Sequence, residues 1–215
     1  MAYCESSQEK IMTFTVWLSL FTICILGAMS PGPSLAIVAK HALAGGRANG
    51  LATSWAHAFG IGIYAFVTLI GLAVVLQQSP LLFKTISYAG AGYLAYLGYN
   101  ALRSKGGVAA KLESGEQTTV LQSAKEGFLI SILSPKIALF FIALFSQFVA
   151  LGNELSNQVI IVATPFIVDG LWYTFITLVL SSSKVVDKIR SKAQLIDRLS
   201  GVVLILLAAR VVLTV

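Results

Sequence analysis

Charged residues are scarce in this chain of 215 residues. Only 11% of them are Asp, Glu, Lys or Arg, whereas 57% are hydrophobic, and the mean hydropathy is +0.84. A water-soluble enzyme or binding domain is excluded, because so few polar residues cannot cover the surface of a globule in water. We expect an integral membrane protein, with room for about six spans of roughly 20 residues each.

Cysteine is scarce as well, with Cys4 and Cys24 alone in the chain. Two cysteines at unrelated positions cannot form a disulfide framework or a metal cluster, and we expect neither a metal nor a cofactor.

The net charge of +6 would suit nucleic acid. The basic residues, however, lie between apolar runs, where they are typical of topology signals and of contacts with anionic lipid. Nucleic acid is therefore not an expected partner.

Proline and glycine interrupt the apolar sequence at two places. The first break is Ser30-Pro31-Gly32-Pro33. Proline lacks a backbone N–H and clashes with the preceding turn, so a helix over 13–29 must end there and a new one begin near Pro33. A second break follows at Ser134-Pro135-Lys136, with a serine as candidate N-cap and a proline at the first helical position.

Helix starts inside a membrane predict a binding site. They present unpaired N–H groups and a partial positive charge, which lipid cannot satisfy, so each break should line a cavity that holds water or an anion. Paired interrupted helices are typical of a transporter's substrate site. A proline kink that serves packing alone is the alternative for either break. The substrate-binding residues predicted at the breaks are Pro31, Gly32, Pro33, Ser34, Ser134, Pro135 and Lys136.

Titratable side chains inside two predicted spans suggest proton coupling. His57 and Tyr64 share one face of a span over 51–76, where they could bond substrate or relay a proton. A buried neutral histidine bonded to a neighbouring helix is the alternative for His57. Asp169 is the only acidic residue in any predicted span, and its ionised form costs about 3 kcal/mol or more there, so we expect it to be functional. Trp172 and Tyr173 share its face and join the predicted substrate site, and proton coupling is assigned to Asp169, His57 and Tyr64.

The distribution of basic residues predicts the topology. Three connections hold eleven of them and the opposite side three, so both termini should be periplasmic and the basic connections cytoplasmic. The expected fold is all-α, with about six transmembrane helices in two inverted three-helix repeats whose first and fourth helices are interrupted. A tail over 1–11 precedes one membrane domain over 12–215, divided into repeat one (12–103), a cytoplasmic loop (104–125) and repeat two (126–215). The eleven residues are Lys40, Arg47, Arg103, Lys105, Lys111, Lys125, Lys184, Lys188, Arg190, Lys192 and Arg198.

Over nearly all of 12–215 the sequence resembles the LysE/RhtB family of bacterial amino-acid exporters. The resemblance depends on the first break, on residues 90–103 and 127–149, and on Asp169 with Trp172. The Pro-Gly-Pro of the family is matched at 31–33, its Asn-Pro-Lys at 134–136 and its fifth-span aspartate at 169. Ser34 replaces a common Asp or Asn, Ser134 the usual Asn and Ser146 a common Pro, which leaves the substrate open.

The resemblance implies export of amino acids or small derivatives across the bacterial inner membrane by proton antiport. The residues suggest a mechanism: the two helix starts hold a carboxylate, and Asp169 holds an ammonium group or a proton. An intramembrane enzyme is not expected, because the spans lack a second acidic residue and a hydrolase motif. A metal-ion exporter, for which His57 and Asp169 make a poor ligand set, and a non-transporting assembly subunit are the alternatives. A homodimer is left open.

Overall fold

The part of the chain that the computed structural model describes is all-helical. It covers residues 12–30, 32–104, 118–151, 154–180 and 183–215, without the side chains of 183–190, 193 and 196. The tail over 1–11, Pro31 and most of the predicted loop over 104–125 lie outside it. The predicted all-α class is confirmed. The helices are α1 (Phe14–Met29), α2 (Pro33–Gln78), α3 (Pro80–Arg103), α4 (Val120–Ile132), α5 (Pro135–Phe145), α6 (Leu155–Leu180) and α7 (Ser183–Thr214), with a 3-10 turn at Val149–Leu151.

Both helix breaks lie where the prolines predict them. Helix α1 ends before an extended Ser30, and α2 begins at Pro33 after an extended Gly32. Helices α4 and α5 meet at an angle of 54°. The Ser134 hydroxyl accepts a hydrogen bond from the backbone N–H of Ile137 at 3.4 Å, which caps the start of α5 as expected of serine.

Helix α2 contains two predicted helices joined at Gly46. As a straight rod its 46 residues would be about 69 Å long, more than twice the hydrocarbon thickness of a bilayer. Gly46 has φ 76° and ψ −165°, a conformation essentially restricted to glycine. The helix therefore divides into α2a (33–45), which completes the first interrupted helix, and α2b (47–78), the second predicted span.

Length and hydropathy identify membrane spans directly in part of this fold. Among the described residues, α2 and α6 are long and apolar enough to cross a membrane, and the bent pair α4–α5 passes the same test when its two helices are taken together. Helix α1 is a shorter apolar helix. Together these helices make the chain a multi-pass membrane protein.

Two helices begin earlier than their hydropathy predicts. The apolar sequence predicts that the fourth span begins at Gly127, but helix α4 begins at Val120. It predicts that the last span begins at Gly201, but helix α7 begins at Ser183. Lys, Arg, Gln and Leu are good helix formers, so the polar sequence ends the apolar span without ending the helix. Lys192 and Arg198 are exposed on this extension.

Close helix contacts bring the halves of the chain together. Helix α2 packs against α4 and α6, α3 against α7, and α1 against α6 and α7. At Gly127 of α4 an added Cβ would collide with the backbone of Thr53 in α2b. Glycine is needed there because the two backbones approach without space for a side chain. The polar face of α2b thereby lies directly against α4.

The conformation of Gly46 leads to a stability prediction. Nothing lies within 4 Å of a Cβ added at Gly46, so Gly46→Ala changes backbone strain alone. We expect it to lower the free energy of unfolding by about 1–3 kcal/mol, measured by thermal unfolding in detergent. Gly71→Ala is the matched control, since its site is also open but helical, where alanine is favoured by about 1 kcal/mol. Equal unfolding temperatures for the two variants would contradict the prediction.

Candidate functional site

A cavity with polar and apolar walls lies between the two helix breaks. Its volume is about 60 Å³, several times the roughly 10–15 Å³ that one water needs. Helices α1, α2, α5, α6 and α7 all contribute to its walls. The lining residues from the breaks and their neighbours are Ala28, Ser30, Pro33, Ser34, His57, Ser134, Lys136, Pro165, Asp169 and Tyr173.

Lys136 reaches from the start of α5 to the start of α2. Its Nζ donates to the Ser30 hydroxyl at 2.9 Å and to the Ser30 carbonyl at 3.5 Å. A Cβ added at Gly32 would lie 3.3 Å from this Nζ. Among the described ion pairs none involves Lys136. The amine is thus held by neutral oxygens, and its positive charge lies beside the positive end of α2.

The two helix starts at this cavity differ in one respect. Ser134 caps α5, whereas no side chain caps α2 at Gly32. An uncapped start leaves backbone N–H groups available to an external acceptor. These groups and Lys136 form a pole of the cavity suited to an anion.

A hydrogen-bonded chain of three side chains forms the second pole. His57 Nδ1 lies 2.7 Å from Asp169 Oδ2, and its Nε2 lies 2.9 Å from Ser34 Oγ. Both His57 and Asp169 are buried. The ring of Tyr173 packs edge-on against His57, with centroids 5.2 Å apart, and the Tyr173 hydroxyl donates to the Ala28 carbonyl at 3.4 Å.

This chain accommodates His57 in either protonation state. A neutral ring donates from Nδ1 to the Asp169 carboxylate and accepts at Nε2 from the Ser34 hydroxyl. A charged ring donates from both nitrogens, and the Ser34 hydroxyl rotates to accept. A proton can therefore be gained or lost at His57 without leaving a buried group unpaired.

The remaining wall of the cavity is apolar. A ligand bound in the cavity therefore contacts hydrocarbon as well as the polar groups. This wall consists of Cys24, Gly27, Ile61, Ile137, Phe140, Phe141 and Leu204.

Three of the predicted site residues lie elsewhere in the described structure. Pro135 begins α5 outside the cavity lining. Trp172 packs in the apolar cluster between α2a and α6, with its ring 5.9 Å from that of Phe175. The Tyr64 hydroxyl donates to the Ile132 carbonyl at 2.7 Å, which ties α2b to the last turn of α4. Gly32, Pro33, Ser34, Ser134, Lys136, His57, Asp169 and Tyr173 do converge on the cavity.

Ser30 and Asp197 are buried polar residues that lie outside the predicted set. Ser30 is the hydroxyl partner of Lys136, and its place beside the proline break was the available signal. Asp197 is buried in α7 and accepts a hydrogen bond from Ser104 at the end of α3. Asp197 lies in a segment that the basic residues predict to be a connection between spans, so nothing in the sequence indicated that it is buried.

The fold and the cavity define a class before any comparison is made. A multi-pass helical membrane protein with a cavity between paired helix breaks has the architecture of a solute transporter. Within that class, the chain belongs to the LysE type translocators, whose family model matches residues 25–214.

Relatives of similar length extend this result. The chain is 31% identical to the leucine efflux protein of Salmonella typhimurium, over 84% of this chain and 86% of that protein. It is 27% identical to an uncharacterized membrane protein of Bacillus subtilis, over 87% and 94% of the two chains. An uncharacterized membrane protein of Haemophilus influenzae is 28% identical, over 86% and 90%. No solved structure matches the chain.

Ser34, His57 and Asp169 are hydrogen-bonded in the same sequence of groups as the catalytic triad of serine hydrolases, in which a hydroxyl bonds to an imidazole and the imidazole to a carboxylate. Because the chain belongs to a translocator family, we expect no hydrolase activity from these three residues. We expect a fluorophosphonate, which modifies activated serines, to leave Ser34 unmodified in mass spectra of the intact protein. A stoichiometric adduct that disappears in Ser34→Ala would contradict this expectation and indicate a hydrolase.

Proposed function

We propose that this chain exports a small amino acid with an apolar side chain, in exchange for protons, across the bacterial inner membrane. The observation that carries the proposal is the pairing of two opposite poles in one cavity. Lys136 and the uncapped start of α2 form the cationic pole, and Asp169 with His57 forms the other. An amino-acid zwitterion has the matching pair of charges.

The cationic pole suits the substrate carboxylate. Lys136 Nζ is bonded to Ser30 alone among the described side chains, and a carboxylate there would receive a charge-assisted hydrogen bond. The N–H groups at the start of α2 offer further donors in a fixed orientation. A carboxylate would also offset the repulsion between the Lys136 ammonium and the positive end of the helix.

The His57–Asp169 pair provides a means of exchange. While His57 is neutral, the single negative charge of Asp169 is available to the substrate ammonium. A proton on His57 neutralises that charge locally, so the proton and the ammonium compete for one carboxylate. Proton uptake at His57 then favours substrate release, and substrate binding favours proton release, which couples the two fluxes in opposite directions.

The apolar wall and the relatives support the choice of substrate. Ile61, Ile137, Phe140 and Phe141 line the cavity, and a charged substrate side chain would be costly to bury against them. One relative is a leucine efflux protein, which is consistent with an aliphatic side chain. The basic connections favour a cytoplasmic position for their end of the bundle, with periplasmic termini.

The role of Lys136 can be tested with a ligand that lacks the carboxylate charge. We expect Lys136→Met to weaken leucine binding by about 10- to 100-fold and leucine methyl ester binding far less, because a charge-assisted contact contributes about 1–3 kcal/mol. Isothermal calorimetry on detergent-purified protein gives both affinities. Lys84→Met, on the exposed face of α3, is the control and should change neither. Equal losses for acid and ester would show that the carboxylate is bound elsewhere.

The coupling role of Asp169 leads to a second test. Asp169→Asn keeps the size of the side chain and an oxygen that accepts from His57 Nδ1–H, but it removes the charge for which proton and substrate compete. We expect proton-driven transport of radiolabelled leucine into proteoliposomes to fall about 100-fold or more, with the unfolding temperature nearly unchanged. Transport near the wild-type rate would make Asp169 a structural residue and overturn the proposed exchange.

A further inference from the structure

The second histidine of the chain is buried outside the cavity. The sequence contains two histidines, and His41, in α2a, is 0% exposed. It follows Ser34 by seven residues and therefore lies on the same helical face, about 10 Å nearer the basic end of the bundle. The transport site described above does not use it.

His41 has the same kind of hydrogen-bonding environment as His57. Its Nε2 lies 3.0 Å from Glu126 Oε2 in α4, and its Nδ1 lies 3.1 Å from Thr118 Oγ1 and 3.0 Å from Ser123 Oγ. Each histidine thus has a carboxylate on one ring nitrogen and a rotatable hydroxyl on the other. A neutral His41 accepts from a hydroxyl and a charged one donates to it, so both states are satisfied.

Glu126 connects this buried ring to solvent. Its side chain is 27% exposed, and the Oε2 that His41 contacts also receives the Lys40 ammonium at 2.9 Å. Gln122 donates to the other oxygen at 3.3 Å. Lys40 and Glu126 are the charged groups that the described structure places at His41. The lysine disfavours a positive charge on the His41 ring, and the carboxylate favours it. A proton on His41 competes with Lys40 for Glu126, as the substrate ammonium competes with His57 for Asp169.

Buried polar side chains lead from this cluster towards His57. Asn49 and Thr53 precede His57 at intervals of four residues on one face of α2b, and all three are at most 5% exposed. Asn49 Nδ2 donates to Ser123 Oγ at 2.9 Å, and Thr53 Oγ1 donates to the Asn49 carbonyl at 2.8 Å, with the Ser123 carbonyl 3.2 Å away. The glycine at 127 in α4 permits this approach.

We propose that His41 and Glu126 form a second proton-binding site, by which the proton taken up at His57 leaves to water at the basic end of the bundle. The imidazolium of His57 loses the proton and His41 gains it, with water molecules along the polar face of α2b as the carriers, since amide groups and backbone carbonyls do not relay a proton. His41 then releases it beside the partly exposed Glu126. This role depends on the proposed proton exchange, and it adds the route by which the proton leaves the protein.

Histidine NMR tests whether His41 binds a proton. In a His57→Gln variant made without a polyhistidine tag, His41 is the one histidine. In a titration from about pH 8 to pH 5 we expect its ring ¹³C and ¹⁵N signals to change from those of a neutral to those of a charged imidazole. His57→Gln/Glu126→Gln removes the carboxylate that favours the charged ring and should reduce this change. Signals that stay those of a neutral ring would overturn the proposal.

Transport tests whether that proton belongs to the exchange. We expect His41→Gln and Glu126→Gln to keep leucine–leucine exchange in proteoliposomes, which needs no net proton release, and to slow pH-gradient-driven transport about ten-fold or more. The control is Glu154→Gln, which removes an exposed carboxylate beside the start of α6.

The outcomes separate this proposal from the proposed function. Unchanged driven transport in both variants, or equal loss of exchange and driven transport, would overturn the exit role of His41. Wild-type protein that moves leucine without protons would instead overturn the proposed antiport, and with it the exit.

Discussion

The absence of water inside a bilayer constrains every polar group in this structure. Hydrocarbon offers Lys136, Asp169 and His57 no hydrogen-bond partner, and each bonds to another segment of the chain. Lys136 in α5 bonds to Ser30 at the end of α1, and Asp169 in α6 bonds to His57 in α2b. The positions of the helices around the cavity follow from these few contacts together with the apolar packing around them.

The helix breaks serve both the fold and the site. An unbroken helix would use its N–H groups in its own backbone bonds, whereas the start of α2 has no side-chain cap and lies at the cavity. The capped start of α5 needs no such ligand and supplies Lys136 instead. One break thus contributes backbone donors and the other a charged side chain, and both contribute to the same pole.

The two histidines show how a buried group can change its charge at low cost. A carboxylate on one nitrogen stabilises the charged ring, and a hydroxyl on the other accepts or donates as the ring requires. In each case a second cation has access to the same carboxylate: Lys40 at Glu126 in the structure, and the substrate ammonium at Asp169 in the proposed exchange. In the proposed exchange this competition is a local electrostatic event by which binding at one place alters proton affinity at another.

Local chemistry determined much of the fold from the sequence alone. Pro33 and Pro135 act on the backbone within a few residues of themselves, so the breaks were predictable, and the isolated charge of Asp169 made it a predicted site residue. Helix ends in polar sequence were predicted less well, because charged residues that end a membrane span still favour helix. Tertiary structure alone decided which residues meet: it bonded Ser34 to His57, directed Trp172 and Tyr64 away from the cavity, and buried His41 against Glu126. Contacts between residues 85 to 112 positions apart depend on how whole helix faces pack, and no short stretch of sequence contains that information.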